Sequence, residues 1–92
     1  MTEQELIELL SDKEHASWAN WMAYLFSKCN KYEDDEGRKC LLIPAKLEKH
    51  WQRQIETPYA DLSEREKQSD RDEVAHILPI IRKFVEEGES HE

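Results

Sequence analysis

The chain has 92 residues, with 21 acidic against 13 basic side chains and a net charge of −8. That length holds a single domain able to bury roughly 60% of its unfolded surface, and that charge disfavours any general attraction to nucleic acid or to an anionic membrane. Two glycines and three prolines among 37% charged and 38% apolar residues leave little turn-forming material, so the expected fold is mainly all-α, a compact bundle of about four helices.

From the N-terminus, Thr2 with Glu5 forms an S/T-x-x-E capping box, and Leu6, Ile7, Leu9 and Leu10 follow as a short apolar face. Ser11 with Glu14 repeats the pattern, which predicts that one short helix stops and a longer one begins. On the longer helix His15, Trp18, Met22, Leu25, Cys29 and Tyr32 recur at intervals of three and four residues, widened by Trp21 and Phe26. This helix is expected to be central, buried along much of its length, and to fray after Tyr32. There Glu33-Asp-Asp-Glu36 sets four acids at the end where the helix dipole opposes them.

Residues 37–43 read as a loop or a short extended piece, in which Leu41, Leu42 and Ile43 cover the core or pair as a minor strand. Pro44 suits a first helical position, and Leu47, Trp51 and Ile55 predict a helix to Glu56. Lys46, Lys49 and Arg53 fall on its opposite side, the one basic stripe in an acidic chain. They are the candidate partner-binding residues, against the reading of a solvated face. Thr57-Pro58 stops that helix, since a residue before proline leaves the helical region. Ser63-x-x-Glu66 then opens the last helix, which carries Val74, Ile77, Leu78, Ile81, Phe84 and Val85 to Glu87, with a kink or break at Pro79. Gly88 reads as the residue after the C-cap, closing a single domain over 1–88 and leaving a disordered tail at 89–92.

Chemistry-bearing residues are sparse. Asp70 falls in line with Val74, Ile77 and Ile81, at the edge of an apolar face where a buried charge needs a partner. His15 has the same oddity beside Trp18, and Tyr59 comes just ahead of the Ser63 cap. Two readings stay open: these groups bond to one another and lock the long helices, or they line a small ligand pocket with an aromatic wall. Cys29, Cys40, His50 and His76 lack the paired spacing of a zinc site, so no metal, cofactor or catalytic constellation is expected. Two cysteines without C-x-x-C, and an acidic start in place of a secretory leader, predict reduced thiols and a cytoplasmic location. The longest apolar run, Trp21 to Phe26, is far short of a membrane span.

The segment Pro58-Tyr59-x-x-Leu62-Ser63-x-x-Glu66-Lys67-x-x-Asp70-Arg71 resembles the signature of the RyR domain, the repeat named after ryanodine receptors. His15-Ala-Ser-Trp18 is similar to the H-x-x-W of that family's first long helix, and Leu41-Leu42-Ile43-Pro44 to the apolar-proline piece before its P-Y motif. The chain departs from the receptor repeats where Ala45 to Thr57 is interposed, a form similar to small stand-alone RyR-like proteins of bacteria and their phages. The resemblance implies a compact, mainly helical, non-enzymatic module that binds a ligand or a partner, with a nucleotide-type small molecule as the candidate ligand. His15, Trp18, Tyr59, Lys67, Asp70 and Arg71 are then the candidate ligand-binding set. The alternative is an acidic inhibitor or decoy that engages a basic site on another protein. Channel repeats come in tandem pairs, so a chain with one repeat is expected to form a homodimer, with the Lys46, Lys49, Arg53 stripe against the acidic start of the last helix.

Overall fold

The computed structural model describes residues 1–90, with side chains as far as Gly88. In chain order it comprises α1 (Glu3–Lys28), β1 (Asn30–Glu33), β2 (Lys39–Leu42), α2 (Ala45–Glu56), a single 3-10 turn (Tyr59–Asp61) and α3 (Glu64–Ser90). The molecule is mainly helical, as expected, and β2 falls in the 37–43 segment expected to be irregular or extended, but the described residues form three helices where about four were expected.

The capping box at Thr2 forms as the sequence predicts. The Glu5 amide donates to Thr2 Oγ1 at 3.1 Å, and Thr2 N donates to Glu5 Oε1 at 3.3 Å. The Ser11 box does not, because α1 runs through it unbroken. No glycine or proline interrupts residues 3 to 28, and an interior serine costs a helix only a fraction of a kcal/mol, roughly 0.5, so the ladder continues. The helix then stops at Lys28, short of the expected Tyr32, and Asn30–Glu33 turns extended instead.

β1 pairs antiparallel with β2, Asn30 with Leu42, Lys31 with Leu41, Tyr32 with Cys40 and Glu33 with Lys39. Asp34 builds the turn between them. Its backbone N–H donates to the Arg38 carbonyl at 2.9 Å, and its own carbonyl accepts the Gly37 amide at 3.0 Å. Its carboxylate accepts the amides of Glu36 and Arg38 at 3.0 and 2.8 Å. Gly37 closes the turn at φ 79, a left-handed conformation that other residues adopt only with strain. The acid run that was expected to fray a helix is thus the tip of a hairpin.

In α2 the Pro44 carbonyl accepts the Leu47 and Glu48 amides at 3.0 and 2.9 Å, and Thr57 leaves the helix at φ −101, ψ 122 as its proline neighbour demands. Leu47, Trp51 and Gln54 are half-buried, whereas Ile55 is 78% exposed, so the inward face is turned by one residue from the expected Leu47, Trp51, Ile55 line. Helix α3 starts directly after Ser63, as expected, and continues through Pro79 without breaking into two segments. It also runs past Gly88, so that glycine is helical. Of the tail expected at 89–92, Glu89 and Ser90 belong to α3, and residues 91 and 92 lie outside the described residues.

The chain divides into two compact units, one of Met1–Ala19 with the residues from Glu64 onward, the other Asn20–Ser63. In the first, α1 and α3 run antiparallel. The N-terminal amine pairs with the Glu87 carboxylate at one end, and Ser17 Oγ donates to Glu73 Oε2 at 2.8 Å farther along. Leu6, Leu10 and Ser17 of α1 and Glu73, Ile77, Ile80, Phe84 and Glu87 of α3 are half-buried, at the three-and-four spacing of a helix–helix seam. In the second unit the half-buried residues are Met22, Leu25 and Cys29, then Asp34, Pro44, Leu47, Trp51, Gln54, Thr57 and Leu62. No described residue of either unit is fully buried, so α1 is not the buried central helix that its composition predicts.

Candidate functional site

Of the candidate ligand residues, His15, Trp18, Lys67, Asp70 and Arg71 belong to the first unit. His15 and Trp18 stack with ring centroids 6.0 Å apart and planes 26° apart, both on the exposed surface of α1. Lys67 Nζ lies 3.7 Å from Glu64 Oε1, and Arg71 Nη1 lies 3.4 Å from Glu64 Oε2 and 3.3 Å from Gln68 Oε1, so both cations pair within their own helix. Asp70 is exposed instead of sitting at the edge of a buried face. The acid that the seam does hold is Glu73, three residues on, where Ser17 meets it. Tyr59 is 49% exposed in the 3-10 turn and belongs to the other unit.

Glu73 and Ser17 were missed because neither is apolar. Each nevertheless falls in phase with the leucines, isoleucines and phenylalanine of the seam, and that phase is the signal that could have found them.

In the second unit, Lys46, Lys49 and Arg53 are exposed together along α2, with Arg53 Nη2 3.3 Å from His50 Nδ1. An open groove along the hairpin is lined by Lys31, Tyr32, Glu33, Lys39, Cys40 and Leu41. Cys29 is half-buried, Cys40 is exposed and both thiols are free. Among the described residues no group of three or more His, Cys, Asp or Glu is gathered to hold a metal ion. The Arg38 backbone amide, then the Arg38 side chain, hold the Asp34 carboxyl below its ordinary 3.8, a structural effect within the turn.

What the helix pair does present is an apolar face. On α3, Val74, Leu78, Ile81 and Val85 recur at intervals of four, three and four residues, and all are exposed. At about 100° per residue this second stripe lies roughly 110° around α3 from the seam that meets α1. On α1, Ile7 and Trp18 lie about 100° around from Leu6, Leu10 and Ser17 in the same rotational sense. Because the helices are antiparallel, equal rotations on both carry both stripes to the same side of the pair. Ile7, Trp18, Val74, Leu78, Ile81 and Val85 therefore form one face, with Trp18 58% exposed. Charged residues interrupt and border it: Glu3 and Glu14 of α1 and Asp70 of α3 lie between the seam and the stripes, Lys67 falls in line with Val74, and Glu64, Arg71 and Arg82 lie along the outer edge of α3.

No protein-family model, no curated protein and no solved structure matches the chain. Among the described residues no helix is long and apolar enough to cross a membrane.

Proposed function

We propose that the protein is a non-enzymatic binding module of the RyR-like kind, and that it works by docking another polypeptide on the apolar face of the α1–α3 pair. The observation that carries this reading is the exposure of Val74, Leu78, Ile81 and Val85 as a continuous helical stripe beside Ile7 and Trp18. Exposed apolar stripes of this periodicity are what helix-to-helix recognition uses, and contiguous apolar surface is costly to leave in water. A nucleotide-type ligand fits less well, since small-molecule sites are concave with a few converging polar groups, while His15, Tyr59, Asp70 and Arg71 are exposed and Lys67 and Arg71 pair along α3.

Native mass spectrometry of the protein purified from cells tests this. The expected species contains a second polypeptide chain, and changing Leu78→Glu with Ile81→Glu removes it. A chain that instead carries a small molecule, retained by that double variant, overturns the reading.

A further inference from the structure

We infer that the occupant of this face is a basic amphipathic helix of another protein, one that carries lysine or arginine within its apolar side. The inference rests on the face being a docking surface and names the chemistry of its partner. On α1, Glu3 and Glu14 lie about 40° and 60° around from the seam, ahead of Ile7 and Trp18 at about 80° and 100°. On α3, Asp70 lies about 60° around, ahead of Ile81 and Val74 at about 80° and 100°. Three helices packed mutually at similar distances form a triangle, so a third helix is met by residues about 60° from the seam of the other two. Glu3, Glu14 and Asp70 are therefore the charges that the occupant covers. All three are acids, and among the described residues none of their side chains has an ion-pair or hydrogen-bond partner. The cations of the face lie elsewhere, with Lys67 and Arg71 held by Glu64 and Arg82 on the outer edge. Covering carboxylates without counter-charge is costly. A second copy would bring three more of them to the same place, so the partner is a different polypeptide that supplies cations.

The heights of the three acids set the spacing of those cations. Met1 meets Glu87 and Ser17 meets Glu73, so a residue of α1 stands level with the α3 residue whose number brings their sum to 88 or 90. Asp70 is thus level with residues 18 to 20 of α1, four to six beyond Glu14, and Glu14 is eleven beyond Glu3. Steps of eleven and of four residues both return to nearly the same side of an α-helix, so one straight helix along the face can present a cation to each acid. From Glu3 to Asp70 it spans about 24 Å, roughly sixteen residues. Its apolar residues, at intervals of three and four, lie against Val74, Leu78, Ile81 and Val85, which repeat those intervals. Lysine and arginine meet both demands, because their aliphatic stems cover apolar surface while the charged heads reach the carboxylates.

A fluorescein-labelled synthetic helix of about twenty residues, titrated with the full chain and read by anisotropy, tests the inference. It carries leucine at intervals of three and four, and arginine at three positions of the same side separated by eleven and four residues; a control peptide has glutamate in place of the arginines. The arginine helix should bind, more weakly as salt rises, and the glutamate helix should bind far less. Glu14→Arg with Asp70→Arg should weaken the arginine helix by roughly thirtyfold or more, the scale of breaking interfacial charge pairs, with helix content by circular dichroism unchanged. The glutamate helix should then be the better ligand of that variant. Glu14→Gln with Asp70→Asn should fall between, and Leu78→Glu with Ile81→Glu should remove binding of both peptides. Equal binding of the two peptides, or a charge reversal without effect, overturns the basic partner and leaves the docking surface standing. So does a dimer of the chain in sedimentation that the Leu78 and Ile81 changes dissociate. Binding indifferent to those two changes, or no binding of either peptide at hundreds of micromolar chain, overturns the docking surface as well.

Discussion

Ser17 and Glu73 are 56 residues apart in the chain and 2.8 Å apart in the structure, hydroxyl to carboxylate, at one end of a seam whose inner members are leucine, isoleucine and phenylalanine. The bond fixes where along α3 the α1 helix rests, because a shift by one residue would set the carboxylate against an apolar side chain.

Removing that bond should be measurable. Ser17→Ala is expected to cost about 1 kcal/mol, since the half-buried carboxylate loses its donor. A double-mutant cycle with Glu73→Ala, read by thermal melting, should give a coupling energy of similar size. Strictly additive effects would mean that the pair does not hold the two helices.

Ser11→Ala separates one continuous helix from two. In the interior of α1, alanine should stabilise the protein by about 0.5 kcal/mol, because it is the better helix former. Were Ser11 a cap, the same change would cost about 1 kcal/mol. The sign of the change in melting temperature decides.

The hairpin tip should respond to acid. The Asp34 carboxyl is held below 3.8 in the folded chain by the Arg38 amide and guanidinium. Its contribution to stability is therefore complete above the unfolded value and is lost as pH falls through the folded one. An NMR titration of the Asp34 carboxyl carbon should have its midpoint below 3.8, and Asp34→Asn should remove the corresponding acid-side loss of hairpin structure. A midpoint at or above that value would show that the Arg38 contacts do not form in solution.

Local signals were legible where a residue's own chemistry acts on its neighbours. Thr2, Thr57-Pro58 and Ser63 each mark a helix end that the structure shares to within a residue. Ser11-x-x-Glu14 is the same motif without the same outcome, because a capping box needs a non-helical residue at its start and nothing before Ser11 breaks the ladder. β1 was hidden for a different reason. Cys29 and Tyr32 continue the helical spacing of α1, while the evidence for a strand lies in a partner segment beyond the Asp34–Gly37 turn. The phase of α3 was the hardest point. With Val74, Ile77, Leu78, Ile80, Ile81, Phe84 and Val85 all apolar, the sequence describes a band too wide for one neighbour. It does not say which half meets α1, and Asp70 was accordingly placed at a buried edge that Ser69 and Glu73 hold instead. Ile55 fails in the same way on α2, one position off the line through Leu47, Trp51 and Gln54.

Pro79 lies in the middle of α3, and the helix passes through it. Proline has no amide hydrogen to give, so the rung that an ordinary residue would make to the Ala75 carbonyl does not exist. A ladder with a missing rung need not open as a whole: the segment from Glu64 and the segment toward Ser90 become separate blocks for amide exchange, each able to unwind on its own. Leu78 lies on one side of that joint and Ile81 on the other, so whatever packs along the stripe acts as a splint, making the two blocks open together or not at all.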